Sequence, residues 1–475
     1  MIKKEKIKYT SGSEYIGEIK NDLPHGKGSY HWYNGVTYVG SWKKGKKHGK
    51  GVDSLPYDKV NDCSEKYVGE FKNDKRNGRG TFYLYDKKGI VEEKYIGEWK
   101  NNKPHGKGTL SFFKKLQQKY RGDFKNGNRH GRGILTNIHG DKLEGVWKDD
   151  VAYKAIKYTF VSGEIKCTYF GGLTKNKEQL KSRDYLPNGK GKLETQGVDG
   201  AMDIYVGEFK NGKSHGKGIL TENVGGQYEG YQKNLKHIGI WKNGKSIKGK
   251  SIYQDGTKYE GDWIDENLAQ GYGKITYPDG SKFVGKFYYD DPVKGEGVIH
   301  FSDSKYVGEM RTKDGSLDSH GEGIMTYKNG DKLIGNWKDG MPIKAHKYTF
   351  SYNKEMKFEY KGGLKKGAFH GKGIIKTIRT SVPKYLYEKG TFLNNLLEGR
   401  GIKIYYDDKN FSRSVYIYKG EFKKGKRHGH GLEWVFPDKH FIEGLFKNNN
   451  FQGSKKNPLT KKVFKIILDA NDLNK

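Results

Sequence analysis

The sequence has few cysteines, few prolines and no long apolar run. Cys63 and Cys167 are its only cysteines, which argues against a disulfide framework and suits a reducing compartment. No apolar stretch approaches the ~20 residues that a membrane-spanning helix needs, and the mean hydropathy is −0.94. The lysine-rich segment from Met1 to Tyr9 lacks the apolar core of a secretory signal. Together these absences predict a cytoplasmic protein.

Glycine, aromatic side chains and positive charge are abundant. The 475 residues include 68 glycines and 35 tyrosines, and the formal net charge is +34. An apolar content of 33 % beside so much charge would usually favour disorder. The aromatic content of 14 % argues against it, because disordered chains are poor in aromatic side chains. We therefore expect a folded chain.

The chain repeats one pattern from end to end. The clearest copy reads Y-I-G-E-I-K-N-D-L-P-H-G-K-G from Tyr15 to Gly28, and the shortest spacing between equivalent glycines is 23 residues. We predict about seventeen copies over residues 15–454, between a lead-in at 1–14 and a tail at 455–475. The copies begin at Tyr15, Tyr38, Tyr67, Tyr95, Tyr120, Leu143, Tyr169, Tyr205, Tyr228, Tyr259, Phe283, Tyr306, Leu333, Tyr360, Glu388, Tyr418 and Ile442. Gly230 is the anchor glycine expected for the ninth copy, and the segment around Gly239 is either a further copy or an insertion.

Each copy is typical of a β-hairpin. The aromatic-x-Gly-x-aromatic segment has a period of two, so its aromatic residues and its glycine share one face of a strand. Asn-Gly, Asn-Asp or Lys-Gly follows and favours a tight turn. Glycine leaves a hollow in which a neighbouring ring can lie. The predicted anchors of this packing are Tyr15, Gly17, Tyr38, Gly40, Trp42, Tyr67, Gly69, Phe71, Tyr95, Gly97, Trp99, Tyr205, Gly207 and Phe209. The predicted fold is all-β: an elongated, single-layer, twisted antiparallel sheet of stacked hairpins.

The repeated pattern Y-x-G-x-[FW]-x-x-x-x-x-x-H-G-x-G resembles the MORN repeat (membrane occupation and recognition nexus). The resemblance extends from about Tyr15 to Gly453. A chain made of such repeats, without an appended enzyme domain, is most similar to the all-repeat members of axonemes and cortical cytoskeletons, such as radial spoke head components. The resemblance implies a scaffold in a cytoskeletal assembly, and the name of the family reflects a role at membranes.

Two stretches and the tail depart from the pattern. H-G-x-G is missing near residues 147–173 and 337–364, and these stretches resemble each other at an offset of 190 residues. Kinks or module boundaries are one interpretation, and equivalent docking sites for a repeated partner are the other. In the tail, Lys461 to Ala470 follow Thr460 and carry Val463, Phe464, Ile467 and Leu468, which predicts a short amphipathic helix. It would either cap the sheet or dock a partner.

No catalytic or metal-binding pattern stands out. The histidines at one repeat position would lie roughly 9.5 Å apart in successive copies, whereas two ligands of one zinc ion lie within ~4 Å. A turn-stabilising hydrogen bond is the better interpretation of that position, which is occupied by His25, His48, His105, His130, His215, His320, His370 and His428. Neither cysteine lies in a nucleophile motif, and a complete phosphate-binding loop is missing. We expect no enzyme activity, no cofactor and no metal.

The positive charge is periodic. One set of basic residues ends the first strand of a copy: Lys20, Lys43, Lys72, Lys100, Lys125, Lys148, Lys210, Lys242, Lys338, Lys423 and Lys447. A second set lies between the two glycines of H-G-x-G, and its candidate partner-binding residues are Lys27, Lys50, Arg79, Lys107, Arg132, Lys217, Lys372 and Arg400. Stacked copies would align these residues as basic stripes along one edge, and such stripes attract acidic partners. The excess lysine could instead keep an aromatic-rich sheet soluble.

Two functions are compatible with these patterns. The first is a non-enzymatic scaffold of a cytoskeletal or ciliary assembly that docks proteins along the sheet. The second is an adaptor on the cytoplasmic face of a membrane, where the basic stripes bind phosphoinositides or phosphatidic acid. Nucleic acid is a poorer partner, because the rings are committed to the fold and not to base stacking. A homodimer through the strands at the sheet ends stays open.

Overall fold

The computed structural model describes residues 2–114, 117–176, 184–198, 200–222, 234–264, 268–381, 383–407, 415–435, 440–453 and 456–458. Within these ranges the fold is all-β and antiparallel, as predicted, and no helix there could cross a membrane. The predicted C-terminal helix falls outside the described residues. The chain divides into two units, Met1–Gln254 and Asp255–Lys475.

In each unit, every strand before β35 pairs antiparallel with the strand that follows it in sequence, and β34 pairs with both β35 and β36. The first unit contains β1 Lys3–Lys8, β2 Glu14–Lys20, β3 Leu23–His31, β4 Thr37–Lys43, β5 Lys46–Asp58, β6 Cys63–Lys72, β7 Lys75–Tyr85, β8 Val91–Lys100, β9 Lys103–Phe112, β10 Lys119–Lys125, β11 Asn128–Thr136, β12 Lys142–Lys148, β13 Val151–Ser162, β14 Ile165–Lys175, β15 Tyr185–Gln196, β16 Met202–Lys210, β17 Lys213–Glu222, β18 Asn234–Lys242 and β19 Lys245–Tyr253. The second unit contains β20 Lys258–Ile264, β21 Leu268–Thr276, β22 Lys282–Tyr288, β23 Asp291–His300, β24 Ser304–Lys313, β25 Ser316–Tyr327, β26 Lys332–Lys338, β27 Met341–Asn353, β28 Met356–Lys365, β29 Ala368–Arg379, β30 Tyr385–Leu393, β31 Leu396–Tyr406, β32 Tyr416–Lys423, β33 Lys426–Val435, β34 His440–Lys447, β35 Asn450–Phe451 and β36 Lys456–Pro458.

Where Asn-Asp, Asn-Gly or Lys-Gly stands between the two strands of a hairpin, as predicted, the dipeptide forms a two-residue turn. In the first hairpin Asn21 and Asp22 have φ values of 51° and 57°. Positive φ at both central residues defines a type I′ turn, whose twist matches that of the flanking strands. Asn, Asp and Gly are the residues that adopt this conformation at least cost, which explains why they recur at these two positions.

The repeated tyrosine lies over the two glycines of its own hairpin. Gly97 and Gly108 are cross-strand partners. A Cβ atom would lie 2.5 Å from the Tyr95 hydroxyl oxygen at Gly97 and 2.4 Å from it at Gly108. The hollow predicted at glycine therefore exists, but the ring that fills it belongs to the same hairpin and not to a neighbour.

The tyrosine hydroxyl also bonds to the backbone. Tyr95 donates to the carbonyl of Glu98 at 2.9 Å, next to an irregularity in the strand pairing after Gly97. Burial raises the pKa of Tyr205 to about 12, so its hydroxyl stays a protonated donor. Other repeated tyrosines donate the same hydrogen bond to the carbonyl of the residue three positions later in the sequence: Tyr15, Tyr38, Tyr67, Tyr120, Tyr169, Tyr205, Tyr259, Tyr306, Tyr360 and Tyr418.

Edge-to-face ring contacts join successive hairpins on this aromatic face. Tyr67 contacts Phe71 of its own hairpin and Trp99 of the next one, both at 5.1 Å between ring centroids. Tyr95 continues the series to Trp99 and Phe124 at 5.2 and 4.9 Å. This geometry is the favoured one for aromatic pairs and adds about 0.5–1.5 kcal/mol per pair beyond burial.

The two irregular stretches share one substitution pattern. Leu143 and Leu333 stand where other copies have tyrosine, and Ala155 and Ala345 stand opposite Gly145 and Gly335, where other copies have glycine. A Cβ atom at Gly145 would lie 3.5 Å from Leu143 Cδ1, so the leucine side chain extends less far over the glycines than a tyrosine ring does. The smaller side chain leaves room for the alanine methyl group. The similarity at an offset of 190 residues therefore has a common structural cause in this pair.

The anchor glycine of the ninth copy differs from the predicted one. Gly239 in β18 pairs with Gly218 and with Gly249, so Gly239 is the anchor glycine. Gly230 and Tyr228 lie outside the described residues. His237 then occupies the tyrosine position and contacts Trp241 edge-to-face at 5.0 Å.

The buried imidazole of His237 has two hydroxyl neighbours. Its Nδ1 lies 2.7 Å from Ser251 Oγ, and its Nε2 lies 2.6 Å from Ser246 Oγ. The side chain is 1 % exposed. Burial lowers the pKa of His237 to about 4, because charging the ring would place a cation in an apolar environment. The neutral ring therefore serves as a small polar substitute for the tyrosine.

Turn residues also connect one hairpin to the hairpin before it. The Asn102 amide donates to the Arg76 carbonyl at 3.0 Å, and Asn102 Oδ1 accepts from the Arg76 amide at 2.7 Å. The same reciprocal pair joins Asp74 to Lys47, Asp150 to Arg129, Asp290 to Ala269, Asn395 to Phe369 and Asn449 to Arg427. Where the earlier residue is proline, which has no amide to donate, the turn residue is glycine: Gly45 with Pro24, Gly127 with Pro104, and Gly212 with Pro187. We call this contact the turn clamp.

Removing the clamp acceptor should weaken one junction. We expect Asn102→Gly to lower the free energy of local opening by about 1 kcal/mol, because the Arg76 amide loses its acceptor. Asp22→Gly is the matched control, since Asp22 has the same turn position and also a positive φ but clamps no earlier hairpin in the described part of the chain. Hydrogen exchange of the Arg76 amide measures the effect. If both variants lower the free energy of local opening equally, the conformation of the turn backbone, and not the clamp hydrogen bond, determines the effect.

Candidate partner-binding surface

The eight basic residues proposed as partner-binding candidates are all exposed. The ring of Tyr15 covers Gly28, so Lys27, one residue earlier, points to the opposite face of the strand. Because the hairpins are equivalent, Lys50, Arg79 and Lys107 follow on this same face. We call it the outer face. The structure therefore places the candidates on a sheet face and not along an edge.

The row that contains these candidates is not purely basic, contrary to the predicted stripe. Lys50 faces Glu70 and Arg79 faces Glu98 across neighbouring strands. Lys107 forms an ion pair with Asp123. Cations and carboxylates therefore alternate over much of this row.

The alternation has a structural cause that sequence reasoning missed. In several copies the acidic residue after the anchor glycine accepts a hydrogen bond from the amide between the two glycines, as Asp123 Oδ2 does from the Arg132 amide at 3.0 Å. Glu70 does the same for Arg79 and Glu98 for Lys107, each at 3.3 Å. The recurrence of Glu or Asp after the anchor glycine was the signal that could have revealed it.

A groove lies on the outer face of the first hairpins. It encloses about 1110 Å³ and is lined in part by Lys27, Val39, Lys50, Val68 and Arg79. The structure thus brings three of the eight candidates into one depression. The other five candidates do not line it: Lys107, Arg132, Lys217, Lys372 and Arg400.

One row of β-branched and hydroxyl side chains crosses this groove. Each residue is the direct partner of the next across β2 to β9, in the order Ile16, Ser29, Val39, Val52, Val68, Thr81, Ile96 and Thr109. Val39 and Ile96 are 54 % and 48 % exposed. The sequence signal was the aliphatic residue between the repeated tyrosine and glycine, which was not considered as a surface feature.

The other periodic lysines are more strongly clustered than predicted. The strand-ending set does end the strands before the turns. Lys43 faces Lys46, and Lys72 faces Lys75. Further lysine pairs are Lys100 with Lys103, Lys210 with Lys213, Lys242 with Lys245, and Lys423 with Lys426. Directly opposed like charges destabilise a strand pair. We call the edge of the sheet that carries these lysine pairs beside the turns the turn edge, and its positive charge lowers the stability of the fold.

Some cations are instead held on the aromatic face. Lys47 Nζ lies 4.7 Å from the Trp32 ring centroid and 2.5 Å from Asp53 Oδ1. Arg76 lies over Tyr67 at 5.0 Å. These side chains are paired and largely buried, so they stabilise the ring packing and are poorly placed to bind a partner.

The turn-stabilising hydrogen bond predicted at the histidine position is found for His25, whose Nδ1 accepts from the Lys44 amide at 3.5 Å. At the same position, the Nδ1 atoms of five other histidines are buried without a hydrogen-bond partner, those of His48, His130, His215, His370 and His428. The described residues contain no group of three or more histidine, cysteine, aspartate or glutamate side chains that could hold a metal ion.

Comparison with known families identifies the repeat. The MORN repeat model matches eleven segments, at residues 15–37, 38–52, 67–87, 95–114, 120–137, 205–221, 259–282, 319–332, 360–376, 389–408 and 418–434. Six predicted copies lie outside the matched segments, those that begin at Leu143, Tyr169, Tyr228, Phe283, Leu333 and Ile442. No curated protein matches the chain. The eleven matches, together with the β-hairpins that they cover, show that this chain contains MORN repeats.

Proposed function

We propose that this protein is a non-enzymatic scaffold that docks other proteins along its sheet. The observation that carries the proposal is the groove on the outer face, where aliphatic side chains stay exposed between charged ones. Exposed apolar surface rimmed by polar residues is typical of protein-binding sites. The rings, glycines and acidic residues of the repeat are committed to the fold, which leaves the outer face and the turn edge for partners.

The assembly that we propose is cytoskeletal, and a ciliary axoneme with radial-spoke-like partners is its specific form. The support is the resemblance of an all-repeat chain to scaffold members of the MORN family. Self-association through β1 is less favoured, because its sequence is K-K-E-K-I-K and lysines on a terminal strand oppose edge pairing.

A second function is favoured by the turn edge. The opposed lysine pairs of the first unit would face an anionic surface together, and each lysine near such a surface adds about 1 kcal/mol of attraction. The alternative is therefore a peripheral adaptor that binds phosphoinositides or phosphatidic acid. Attraction of this kind weakens steeply with salt.

Detergent extraction of the source cell separates the two functions. For a scaffold we expect the protein to stay with the detergent-insoluble cytoskeleton at moderate salt, because docking buries apolar groups as well as charge. Blotting of the pellet across a salt series measures this retention. A protein that appears in the detergent-soluble fraction would contradict the scaffold proposal and favour the lipid adaptor.

A further inference from the structure

The outer face of the first hairpins has three parallel rows with different chemistry, and the groove covers the stretch of the central row from Ser29 to Val68. The central row is the series of β-branched and hydroxyl residues from Ile16 to Thr109. On one side lie Lys27, Lys50 and Arg79, where Lys50 faces Glu70 and Arg79 faces Glu98, whereas Lys27 faces Ser41. On the other side the register places Ser54, Lys66, Tyr83, Lys94, Ser111 and Lys119 in successive strands. This second flank carries three lysines and no carboxylate from Ser54 to Lys119.

We propose that the groove binds an amphipathic α-helix of a partner protein, with an apolar stripe on the central row and acidic residues toward Lys66, Lys94 and Lys119. The inference rests on the proposed scaffold function and specifies its partner. Acidic side chains complement the basic flank, while the alternating flank already neutralises itself in part.

The backbone explains why the occupant is a helix. The strands β2 to β9 are hydrogen-bonded to neighbours on both sides. A chain that lies across their face finds no free backbone donors or acceptors there. It must satisfy its own amides and carbonyls, which a helix does within itself. An extended segment would need a free strand edge.

The length of the central row matches the length of a helix of ordinary size. Eight strands at about 4.8 Å spacing give a row of roughly 34 Å. A helix of about 22 residues has that length, and it presents an apolar residue about every turn of 5.4 Å. This spacing is close to the distance between strands, so successive apolar side chains would each meet one or two residues of the central row.

Fluorescence anisotropy with the full chain and a labelled synthetic helix tests the proposal. The probe is a 22-residue peptide with a leucine stripe flanked on one side by glutamate. We expect saturable binding, and we expect Val68→Lys to weaken it about tenfold, since a charge in the central row would be buried against the stripe. Val307→Lys is the matched control. Val307 lies between the repeated tyrosine and glycine of another copy, is 42 % exposed and does not line the groove, so its replacement should leave binding within about twofold.

Three results would overturn the proposal. The first is equal binding of a peptide with the same composition and a shuffled stripe. The second is equal weakening by Val68→Lys and Val307→Lys. The third is saturable binding to phosphatidylcholine–phosphatidylserine vesicles that Val68→Lys weakens, which would assign the groove to a membrane.

The outcomes for the groove and for the scaffold remain distinguishable. If the peptide does not bind but the native protein stays in the detergent-insoluble fraction, the helix proposal fails and the scaffold stands. If the native protein is extracted by detergent, the scaffold itself fails.

Discussion

Gly108→Ala is expected to destabilise the fourth hairpin by about 3 kcal/mol, because overpacking a tight site typically costs 1–3 kcal/mol. A methyl group at Gly108 would lie 2.4 Å from the Tyr95 hydroxyl oxygen and 2.5 Å from its Cε2. The ring cannot retreat without losing its bond to the Glu98 carbonyl and its contacts with Trp99 and Phe124. Hydrogen exchange of β8 and β9 amides measures the loss.

The irregular copies indicate a second substitution that should offset the loss of stability caused by Gly108→Ala. Tyr95→Leu combined with Gly108→Ala reproduces the pair formed by Leu143 and Ala155. We expect the double variant to be no less stable than Tyr95→Leu alone, which gives a coupling energy of about 3 kcal/mol between neighbouring sites. Additive losses would show that ring and glycine do not constrain each other.

The effect should also stay local. Gly97→Val introduces the same clash from the other strand, yet the stability of stacked repeats is largely a sum over neighbours. Amides of β16 and β17 should keep their protection. A single cooperative loss across the whole chain would contradict this description.

Acidification is expected to open the hairpin of β18 and β19 before its neighbours. In the unfolded chain His237 binds its proton near pH 6.5, whereas in the fold its pKa is about 4. Between these values the unfolded state holds more protons, so stability is fully present above about pH 6.5 and falls as the pH drops toward 4. The difference corresponds to about 3 kcal/mol.

Protection factors of the Ile238 and Gly249 amides, corrected for the intrinsic exchange rate, measure this loss between pH 7 and pH 4. His237→Tyr is the control, because it restores the usual residue over Gly239 and Gly249 and removes the titrating group. Acid sensitivity that persists in His237→Tyr would assign it to other residues. Equal protection at both pH values in the native chain would show that protonation of His237 does not open the hairpin.

The hairpins could be predicted from the sequence, because their signals are local. A period of two, a turn dipeptide and paired glycines each act within about a dozen residues. The frame of the ninth copy was missed for the same reason: His237 lacks the aromatic signal, and only its partners Ser246 and Ser251 explain it.

The surface was harder to predict than the hairpins. Lys50 and Arg79 were recognised as periodic and exposed, but their carboxylate neighbours Glu70 and Glu98 belong to the next copy and depend on register. Val39 and Val68 resemble ordinary strand residues until pairing shows that they form one row with Val52. Sequence periodicity gives the spacing of side chains along a strand, whereas a binding surface depends on which residues of different strands lie side by side.

The turn clamp restricts how such a chain can be rearranged. A hairpin with Pro104 in its second strand offers no amide at the clamp, and the hairpin after it carries Gly127, which has no side-chain acceptor. A hairpin with Arg76 at that position is followed by one that carries Asn102. Glycine also follows residues that have an amide, as Gly244 follows Ser214, so the requirement applies in one direction: an Asx acceptor needs an earlier residue with an amide. The order of the copies is therefore part of the information in the sequence. Deletions or duplications that preserve these pairings should be inherited more easily than those that place an Asx turn after proline.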